Sequence, residues 1–329
     1  MKLVCYGVRE TEIPFFEKFN KYSFELMLVP ELMNDENVEL AKDADAVVVR
    51  GNCKTNATNI ERLHSLGVKY LLTRTVGYNH IDLEATKKHG MRVARVPSYS
   101  PNAIGELAVT LAMMLLRHVA YTVNKTRARD FTVDATMFSK EVRNCTVGIL
   151  GAGKIGLTTA KLFKGLGSNV VAYDIFESDE AKEVVEFMTL DELLAVSDIV
   201  SVHMPYIKGE NDRMLDKDFL AKMKQDAILI NTSRGELQND DDILAAILEN
   251  TLGAFGTDVF AHEADFFFKD MKGKALPDPA VEKLLDCYPK VLVTPHIGAY
   301  TDEALTNMIE ITFDNFNEFI TTGICENEI

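Results

Sequence analysis

Residues 145–174 read CTVGILGAGKIGLTTAKLFKGLGSNVVAYD, and the order of elements in this stretch decides the fold. The mostly apolar residues 145–150 predict a strand, and apolar residues that recur at near-helical spacing up to Gly167 predict a helix. A second apolar run over residues 170–173 ends at Asp174. Strand, glycine turn, helix, strand and acid follow one another as they do in a Rossmann unit. The alternative is an ordinary glycine turn in an α/β sheet.

The glycine turn is a candidate dinucleotide site. Its glycines permit a tight turn and let the backbone approach a pyrophosphate, while the N-terminus of the next helix supplies partial positive charge. Asp174 can accept hydrogen bonds from both ribose hydroxyls and would repel a 2′-phosphate, and residues 175–177 contain no base. The sequence therefore predicts NAD as the cofactor. The predicted cofactor contacts here are Gly151, Gly153, Lys154, Ile155, Gly156 and Asp174.

The composition is that of an acidic globular protein. Of the 329 residues, 47% are hydrophobic and 26% are charged, so the chain can bury large cores, and its length suggests two domains. Lys and Arg total 35 against 50 Asp and Glu, which gives a net charge of -15. This acidity argues against nonspecific binding of nucleic acid.

The sequence also bears on location. Charges occur in the first ten residues, too soon for a signal peptide, and the longest apolar stretch, residues 107–116, is too short to span a bilayer. The five cysteines form no C-x-x-C pair and leave an odd count, which is typical of reduced thiols. We therefore expect a cytoplasmic protein that does not bind a membrane.

The first hundred residues have an α/β pattern of their own. Strand-like runs occupy residues 3–6, 24–29, 46–49, 70–73 and 92–96, and none of the turns between them carries a phosphate fingerprint. A second domain that presents substrate groups is the simplest interpretation. A helix is then predicted to begin at Ser100 and Pro101, with an apolar stripe that extends to Val119. This helix is buried either between domains or subunits, or in the core of one domain.

Four further strands are predicted after Asp174, over residues 199–202, 227–230, 253–259 and 291–293. Polar residues follow each strand, and ligands of open α/β sheets bind beyond the carboxyl ends of the strands. The polar groups are His203 and Pro205, residues 231–235, residues 258–263 and residues 294–296. These strand ends are therefore where we expect the chemistry.

Five motifs together resemble the D-2-hydroxyacid dehydrogenases in order and spacing. They are YSPNA at 99–103, the glycine fingerprint, NTSRG at 231–235, DVFAHE at 258–263 and TPH at 294–296. The resemblance covers nearly the whole chain and is strongest to the D-lactate and (R)-2-hydroxyglutarate dehydrogenase branch. It implies two Rossmann-like or flavodoxin-like α/β domains, with an NAD-binding domain at 101–298 inserted into a substrate domain made of 1–100 and 299–329. It also implies a homodimer.

The resemblance assigns a catalytic trio to Arg234, Glu263 and His296. The guanidinium of Arg234 can pair with a substrate carboxylate and polarise the adjacent 2-oxo group. His296 can give a proton to the carbonyl oxygen as hydride arrives, and Glu263 can stabilise its charged imidazole. Taken singly, each has a plainer alternative, namely a loop histidine, a surface ion-pair partner and a solvated acid. A metal site made of Asp258, His262 and Glu263 is a further alternative, which hydride transfer does not require.

The resemblance also assigns binding residues. His203, Pro205, Thr232 and Asp258 are expected beside the cofactor. The backbone of Val76 and Gly77 and the hydroxyl of Tyr99 are expected at the substrate carboxylate, which Arg234 also binds. Alternatively, Gly77 only makes a turn and Tyr99 only packs. The run Phe266, Phe267 and Phe268 forms either a lid or part of a core.

Arg50 is where the chain departs from the lactate pattern, because lactate dehydrogenases usually place an aromatic residue there. A buried guanidinium is costly without an anion, and a second substrate carboxylate would supply one. The stretches RGNC at 50–53 and SKEVRNC at 139–145 resemble (R)-2-hydroxyglutarate dehydrogenases. Alternatively, Arg50 pairs with Asp45 or Glu263 and merely ends a strand.

The expected activity is the NAD-dependent, reversible reduction of 2-oxoglutarate to (R)-2-hydroxyglutarate, with a small 2-oxoacid or 2-hydroxyacid as the only substrate class and no metal. Two alternatives stay open. One is a D-lactate or broad-specificity D-2-hydroxyacid dehydrogenase, and the other is an NAD-sensing interaction protein that resembles the corepressors built on this fold.

Overall fold

The computed structural model describes residues 1–329. The chain forms two compact units. The terminal unit comprises Met1–Ser100 and Tyr300–Ile329, and the central unit comprises Pro101–Ala299. Helices and strands are numbered along the whole chain.

The terminal unit contains a five-stranded parallel sheet in the order β2-β1-β3-β4-β5, which is the order of flavodoxin-like folds. Phe313 and Phe316 of the last helix pack on one face of this sheet, among Leu3, Cys5 and Val48. The strands are β1 (Lys2–Tyr6), β2 (Glu25–Val29), β3 (Ala46–Val49), β4 (Tyr70–Thr73) and β5 (Arg92–Arg95). The helices are α1 (Ile13–Phe19), α2 (Ala57–Ser65), α3 (Leu83–Lys88) and α12 (Asp302–Thr321), with 3-10 turns at Glu10–Glu12 and Val38–Ala41.

The central unit contains a seven-stranded parallel sheet in the order β12-β11-β10-β9-β6-β7-β8. The strand order reverses at β6, which lies between β7 and β9, and such a switch point is where α/β sheets bind ligands. The strands are β6 (Thr146–Leu150), β7 (Asn169–Tyr173), β8 (Glu186–Phe187), β9 (Ile199–Val202), β10 (Ile228–Asn231), β11 (Ala254–Thr257) and β12 (Val291–Val293).

Eight helices complete the central unit and cover both faces of its sheet, where two apolar clusters form the core. They are α4 (Pro101–Leu116), α5 (Val119–Arg127), α6 (Lys154–Gly165), α7 (Asp179–Val184), α8 (Leu190–Val196), α9 (Lys217–Leu220), α10 (Asp240–Leu248) and α11 (Pro279–Asp286). Short 3-10 turns occur at Ala135–Met137, Val142–Asn144, Gly235–Leu237 and Glu263–Asp265.

The helix that was predicted to continue to Val119 ends instead at Leu116. His118 adopts a left-handed conformation with φ of 49°, and α5 then begins in a new direction. Val119 is exposed, so it is not part of the apolar stripe. Within the central unit, α4 packs against α6, β10 and β11, which makes it a core helix of one domain.

The run Phe266, Phe267 and Phe268 is divided between the core and the surface. Phe266 and Phe267 are buried in the core of the central unit, whereas Phe268 is exposed.

No single helix is both long and apolar enough to cross a membrane, although the bent pair α4 and α5, which meet at 65°, satisfies length and composition when taken together.

Candidate active site

The glycine turn after β6 is shaped by close backbone approach. A Cβ on Gly156 would lie 1.9 Å from the carbonyl oxygen of Gly151, so only glycine fits at the first turn of α6. Gly151 has φ of 94°, and a Cβ there would lie 2.7 Å from the amide nitrogen of Met204. Gly153, by contrast, opens onto empty space at the N-terminus of α6, followed by exposed Lys154 and half-buried Ile155. This open N-terminus is suited to a pyrophosphate.

Asp174 follows β7 and reaches back to the glycine turn. Its Oδ2 accepts a hydrogen bond from the backbone N–H of Ala152 at 2.6 Å, and its Oδ1 accepts one from the N–H of Phe176 at 3.0 Å. The carboxylate is half-buried, whereas Ile175 and Phe176 are exposed. An acid held at this place can meet the ribose that adjoins the pyrophosphate.

Two buried polar atoms near the switch point have no hydrogen-bond partner in the chain, namely His203 Nδ1 and Thr232 Oγ1. His203 follows β9, and its Nε2 lies 2.9 Å from Ser201 Oγ, while burial lowers the pKa of the ring to about 3. The ring is therefore neutral. Orphaned buried polar atoms are rare in proteins. His203 adjoins the glycine turn and Thr232 follows β10, so both atoms lie at strand ends where a bound dinucleotide could supply the missing partners. Pro205, two residues on, is exposed, and its carbonyl accepts from Asn211 Nδ2 at 2.8 Å.

Arg234 lies in the loop that follows β10. Asn231, at the end of the strand, accepts the N–H of Ser233 at 3.0 Å and donates to the carbonyl of Arg234 at 2.9 Å. The guanidinium donates to the carbonyl of Ser233 at 2.7 Å and remains half-buried. The backbone of this loop is therefore fixed by a side chain of its own strand, while a planar fork of donors projects from it.

Glu263 and His296 form an ion pair through Oε1 and Nδ1. The other oxygen of Glu263 accepts the N–H of Phe260 at 3.2 Å, which fixes the carboxylate. His296 has φ of 51°, and 38% of its side chain is exposed against 12% for Glu263. Because Nδ1 faces the carboxylate, Nε2 is the nitrogen that can exchange a proton with another molecule.

Asp258 anchors the loop that carries His296. Its side chain is buried, and its carboxylate accepts from Thr294 Oγ1 at 2.6 Å, from Ile297 N at 2.9 Å and from Gly298 N at 2.8 Å. Burial raises the pKa of Asp258, and these donors act in the opposite direction. Within the central unit the carboxylate thus holds both sides of the His296 loop.

Three of the predicted residues in this unit occupy neighbouring strand ends, because β10, β11 and β12 are adjacent in the sheet. The loops of Arg234 and Glu263 pack backbone to backbone, since a Cβ on Gly235 would lie 2.0 Å from the carbonyl carbon of Phe260. Arg234, Glu263 and His296 therefore follow adjacent strands at one edge of the sheet, and Glu263 contacts His296. Residues of these types can bind a carboxylate and donate a proton.

In the terminal unit, Arg50 belongs to a cluster of charged side chains at the carboxyl ends of β1, β3 and β4. Arg50 Nη1 and Arg74 Nη2 both donate to the carbonyl of Gly7, at 3.4 Å and 3.2 Å. Arg74 is almost fully buried and pairs with equally buried Glu12 at 3.4 Å. Arg9 pairs with the same carboxylate at 3.6 Å. We call these four residues, Arg9, Glu12, Arg50 and Arg74, the arginine cluster.

The arginine cluster carries an excess of positive charge. The pKa of Arg50 is lowered to about 10, first by burial and then by Arg9 and Arg74, while Glu12 acts in the opposite direction. Pairing with Asp45, considered above, is wrong because Asp45 lies at the other end of β3, where its Oδ2 accepts from the backbone N–H of Lys2 at 2.7 Å.

The turn at Val76 and Gly77 lies after β4 in the same unit. Val76 O accepts from Arg95 Nη1 at 3.0 Å, and Gly77 O accepts from Thr75 Oγ1 at 2.6 Å, so both peptide planes are fixed. Tyr99 is half-buried, and its carbonyl accepts from Asn307 Nδ2. The geometry is compatible with backbone N–H groups that bind a carboxylate.

Residues 109–298 match the model of the D-isomer specific 2-hydroxyacid dehydrogenase NAD binding domain. The chain belongs to the D-isomer specific 2-hydroxyacid dehydrogenase family. The dehydrogenase is 36% identical over 330 residues to an aromatic 2-oxoacid reductase of Clostridium sporogenes, covering 100% of this chain and 99% of the relative. It is 36% identical over 332 residues to a D-lactate dehydrogenase of Lactiplantibacillus plantarum, with the same coverage. It is 37% identical to a D-2-hydroxyacid dehydrogenase (NAD(+)) of Clostridioides difficile over 100% of both chains.

Solved structures agree with these relatives. A pyruvate reductase of Chlamydomonas reinhardtii superposes on the dehydrogenase with a TM-score of 0.91 at 32% identity, covering 99% of this chain and 98% of the other. A D-lactate dehydrogenase from Treponema pallidum gives 0.89 at 33% identity, covering 100% and 99%. The predicted family, α/β fold class and cofactor are confirmed. The protein is an NAD-dependent D-2-hydroxyacid dehydrogenase that acts on small 2-hydroxyacids and 2-oxoacids.

Sequence reasoning about the dehydrogenase missed several residues around the candidate site. Arg9, Glu12 and Arg74 follow strands β1 and β4, and a search for charged residues at every strand end would have found them. Gln238 and Asp240 gave no such signal, because they follow a 3-10 turn rather than a strand.

Proposed function

We propose that this dehydrogenase reduces 2-oxoglutarate reversibly to (R)-2-hydroxyglutarate. The observation that carries the proposal is the arginine cluster of the terminal unit, where two guanidiniums share the carbonyl of Gly7 and Glu12 is the acid between Arg9 and Arg74. Burial, followed by repulsion from Arg9 and Arg74, lowers the pKa of Arg50, and a bound anion would offset both effects. A substrate with a second carboxylate supplies that anion, whereas pyruvate does not.

Arg74 supports this interpretation because it is a buried cation that the chain satisfies only in part. Its Nε is buried without a hydrogen-bond partner, while its guanidinium carbon lies 5.0 Å from the centroid of Phe16. Arg74 is a buried positive charge that shares the carbonyl of Gly7 with Arg50, and Arg50 is the more exposed of the two. Fixed charge of one sign attracts a ligand of the opposite sign.

The catalytic roles follow from the chemistry of the strand ends. Arg234 binds the carboxylate next to the 2-oxo group as a bidentate donor and polarises the carbonyl. Val76 and Gly77 contribute backbone N–H groups to the same carboxylate, and Tyr99 contributes its hydroxyl. His296 gives the proton on Nε2 to the carbonyl oxygen, while Glu263 holds Nδ1 and stabilises the imidazolium. In the reverse direction His296 accepts the hydroxyl proton.

NADH supplies the hydride that C2 of the substrate receives. We assign its pyrophosphate to Gly151, Gly153, Lys154, Ile155 and Gly156, its ribose to Asp174, and its nicotinamide half to His203, Pro205, Thr232 and Asp258. The orphaned atoms His203 Nδ1 and Thr232 Oγ1 support this assignment. Asp258 contributes by holding the His296 loop.

The second candidate is a reductase of monocarboxylic 2-oxoacids. It is favoured by relatives whose names refer to D-lactate and to aromatic 2-oxoacids. An apolar substrate side chain placed at the arginine cluster would add no negative charge to a group in which three arginines meet one glutamate, and it would remove water from those cations, which is unfavourable. The cluster therefore favours the dicarboxylic substrate.

The trio can be tested with Arg234→Lys and His296→Ala, with His64→Ala as a control at an exposed position of the terminal unit. We expect the two site variants to lose about 10²- to 10⁴-fold in kcat/KM for NADH-dependent reduction while NADH still binds, because His296→Ala removes the general acid and Arg234→Lys removes a donor that stabilises the transition state. Fluorescence titration measures the binding. Wild-type turnover by either site variant contradicts the assignment.

The stereochemistry of the product is tested separately. Chiral chromatography of the 2-hydroxyglutarate formed from 2-oxoglutarate should give the R enantiomer, and the S enantiomer contradicts the assigned configuration.

We also propose a homodimer. The segment between α5 and β6 exposes Phe131, Val133 and Phe138, with 75%, 86% and 89% of each residue accessible. Neighbouring apolar side chains at such exposure are typical of surfaces that associate. Light scattering should give twice the chain mass of 36.8 kDa, and the mass of a single chain contradicts the proposal.

A further inference from the structure

Gln238 is buried, with 2% of the residue exposed, and each polar atom of its amide is used. Oε1 accepts from Asn231 Nδ2 at 2.9 Å. Nε2 donates to Asp240 Oδ1 at 2.8 Å and to the carbonyl of Val259 at 3.2 Å. The amide therefore joins the end of β10, the start of α10 and the loop after β11.

The surroundings dictate which way this amide faces. Two acceptors, Asp240 Oδ1 and Val259 O, lie on one side, and a donor from Asn231 lies on the other. A flipped amide would set oxygen against both acceptors and NH₂ against NH₂. Burial raises the pKa of Asp240 to about 7, with the Gln238 N–H acting in the opposite direction. Asp278, Asp241 and Arg213 are the other charged groups that act on Asp240.

On the β10 side, the hydrogen bonds continue to Arg234. The second N–H of the Asn231 amide donates to the carbonyl of Arg234 at 2.9 Å, and its oxygen accepts from Ser233 N. Gln238 thereby holds the amide that fixes the Arg234 backbone. Because both N–H groups of Asn231 are used, rotation of its side chain would break both bonds.

On the β11 side, the hydrogen bonds lead to Glu263. Val259 precedes Phe260, whose N–H donates to Glu263 Oε2 at 3.2 Å, and Glu263 holds His296. Gly235 packs directly on the backbone of Phe260 and Ala261, so a shift of either loop moves the other. One side chain thus links the loop of the cation to the loop of the acid.

We propose that Gln238 is a positioning residue that sets the placement of Arg234 relative to the Glu263–His296 pair. This inference rests on the proposed function, in which Arg234 and His296 act on one substrate. It concerns the reaction rather than the choice of substrate. A displacement of about 1 Å between such groups is enough to reduce turnover strongly.

Gln238→Leu tests the proposal, because leucine has similar volume but leaves the partners of the amide unsatisfied. The matched control is Asn59→Leu, which removes an equally buried amide from the terminal unit, where Asn59 Nδ2 donates to Lys54 O at 2.9 Å. We expect Gln238→Leu to lower kcat/KM about 10- to 100-fold with unchanged NADH affinity. Asn59→Leu should lower the melting temperature by a similar amount and leave kcat/KM of the folded enzyme within about 2-fold.

The double variant with Arg234→Lys separates positioning from general damage. If Gln238 acts through Arg234, Gln238→Leu should reduce kcat/KM less than about 3-fold in the Arg234→Lys background. Independent, multiplicative losses overturn the proposal. If Arg234→Lys alone retains full turnover, the proposed function fails, and that result is distinct from a failure of the Gln238 proposal.

Gln238→Glu keeps the test open if the leucine variant does not fold. A protonated glutamic acid can still donate to Asp240 or Val259 and accept from Asn231, whereas its carboxylate cannot donate. We therefore divide kcat/KM of this variant by kcat/KM of the wild type at each pH. The ratio should rise at least about 5-fold as the pH is lowered and the introduced carboxyl group and Asp240 become protonated. A ratio that is constant with pH overturns the proposal.

Discussion

Arg50→Leu should lower kcat/KM for 2-oxoglutarate and raise the free energy of unfolding of the protein. The pKa of Arg50 is lowered to about 10, first by burial and then by Arg9 and Arg74. Because one pKa unit corresponds to about 1.4 kcal/mol, a charged Arg50 costs the free protein roughly 3 kcal/mol at neutral pH. The cost applies in full below the lowered pKa and disappears as the pH rises to the ordinary pKa of arginine. An apolar residue removes it.

The same substitution removes the donors that we assign to the second carboxylate. Charge-assisted hydrogen bonds contribute about 1.5–3 kcal/mol each, so kcat/KM for 2-oxoglutarate should fall roughly 10- to 150-fold. Pyruvate and 2-oxoisocaproate have no second carboxylate, and their kcat/KM should stay within about 3-fold or rise as repulsion is relieved. The free energy of unfolding at pH 7 should increase by about 1–3 kcal/mol. This range is less than the full cost of the charge because the substitution also removes the hydrogen bond from Arg50 to the carbonyl of Gly7.

The assay is NADH oxidation at 340 nm with each oxoacid, together with urea unfolding of the same preparations. Arg92→Leu is the matched control, because Arg92 pairs with Glu328 on the surface of the same unit. It should leave the ratio of kcat/KM values unchanged. If Arg50→Leu lowers turnover of all three oxoacids equally, the reasoning from the arginine cluster is refuted.

Three other substitutions have definite expected outcomes. Gly156→Ala should weaken NADH binding at least about 10-fold in a fluorescence titration, since its Cβ would lie 1.9 Å from Gly151 O, and unchanged affinity would show that the turn does not approach the cofactor. Asp240→Asn should stabilise the protein above pH 7, because burial raises the pKa of Asp240 to about 7 and its charged form then destabilises the fold increasingly as the pH rises from 3.8. The gain in free energy of unfolding should be at most about 4 kcal/mol, since the carboxylate also interacts favourably with the N-terminus of α10 and asparagine loses that interaction. Melting curves should converge below about pH 4, and a gain that is equal at pH 4 and pH 8 would exclude this cause. Glu263→Gln should lower kcat about 10- to 1000-fold with little change in KM. A raised KM with unchanged kcat would show that Glu263 takes no part in proton transfer.

The positions of the strands were largely predictable, because a parallel sheet buries continuous apolar runs. Ala46–Val49, Tyr70–Thr73, Ile199–Val202 and Val291–Val293 lie where the runs of Val, Leu and Ile indicated. The two-residue strand β8 could not be predicted, because it is too short to show a pattern. The break at His118 was also missed, since no proline or glycine marks it, although His118 adopts a left-handed conformation.

The candidate site was predictable where polar residues follow strands directly. The polar strand ends indicated the segments that contain Arg234, Glu263 and His296, whereas the catalytic roles of the three came from the family resemblance and stay a prediction. The pairing of Glu263 with His296 is visible only in three dimensions. A search of the strand ends would have found Arg9 and Arg74 one by one, but not their grouping with Arg50. They lie 41 and 24 positions from Arg50 and meet it only through the strand order β1-β3-β4. Gln238 was missed for the same reason, as its partners come from three separate segments.

A competition experiment tests the central claim most directly. Equimolar 2-oxoglutarate, pyruvate and phenylpyruvate are supplied together with limiting NADH, and the three hydroxyacids are quantified by chromatography, so that their ratio equals the ratio of kcat/KM values. The arginine cluster predicts (R)-2-hydroxyglutarate as the main product, by about 10-fold or more over each of the others. A mixture dominated by lactate or phenyllactate would contradict the account.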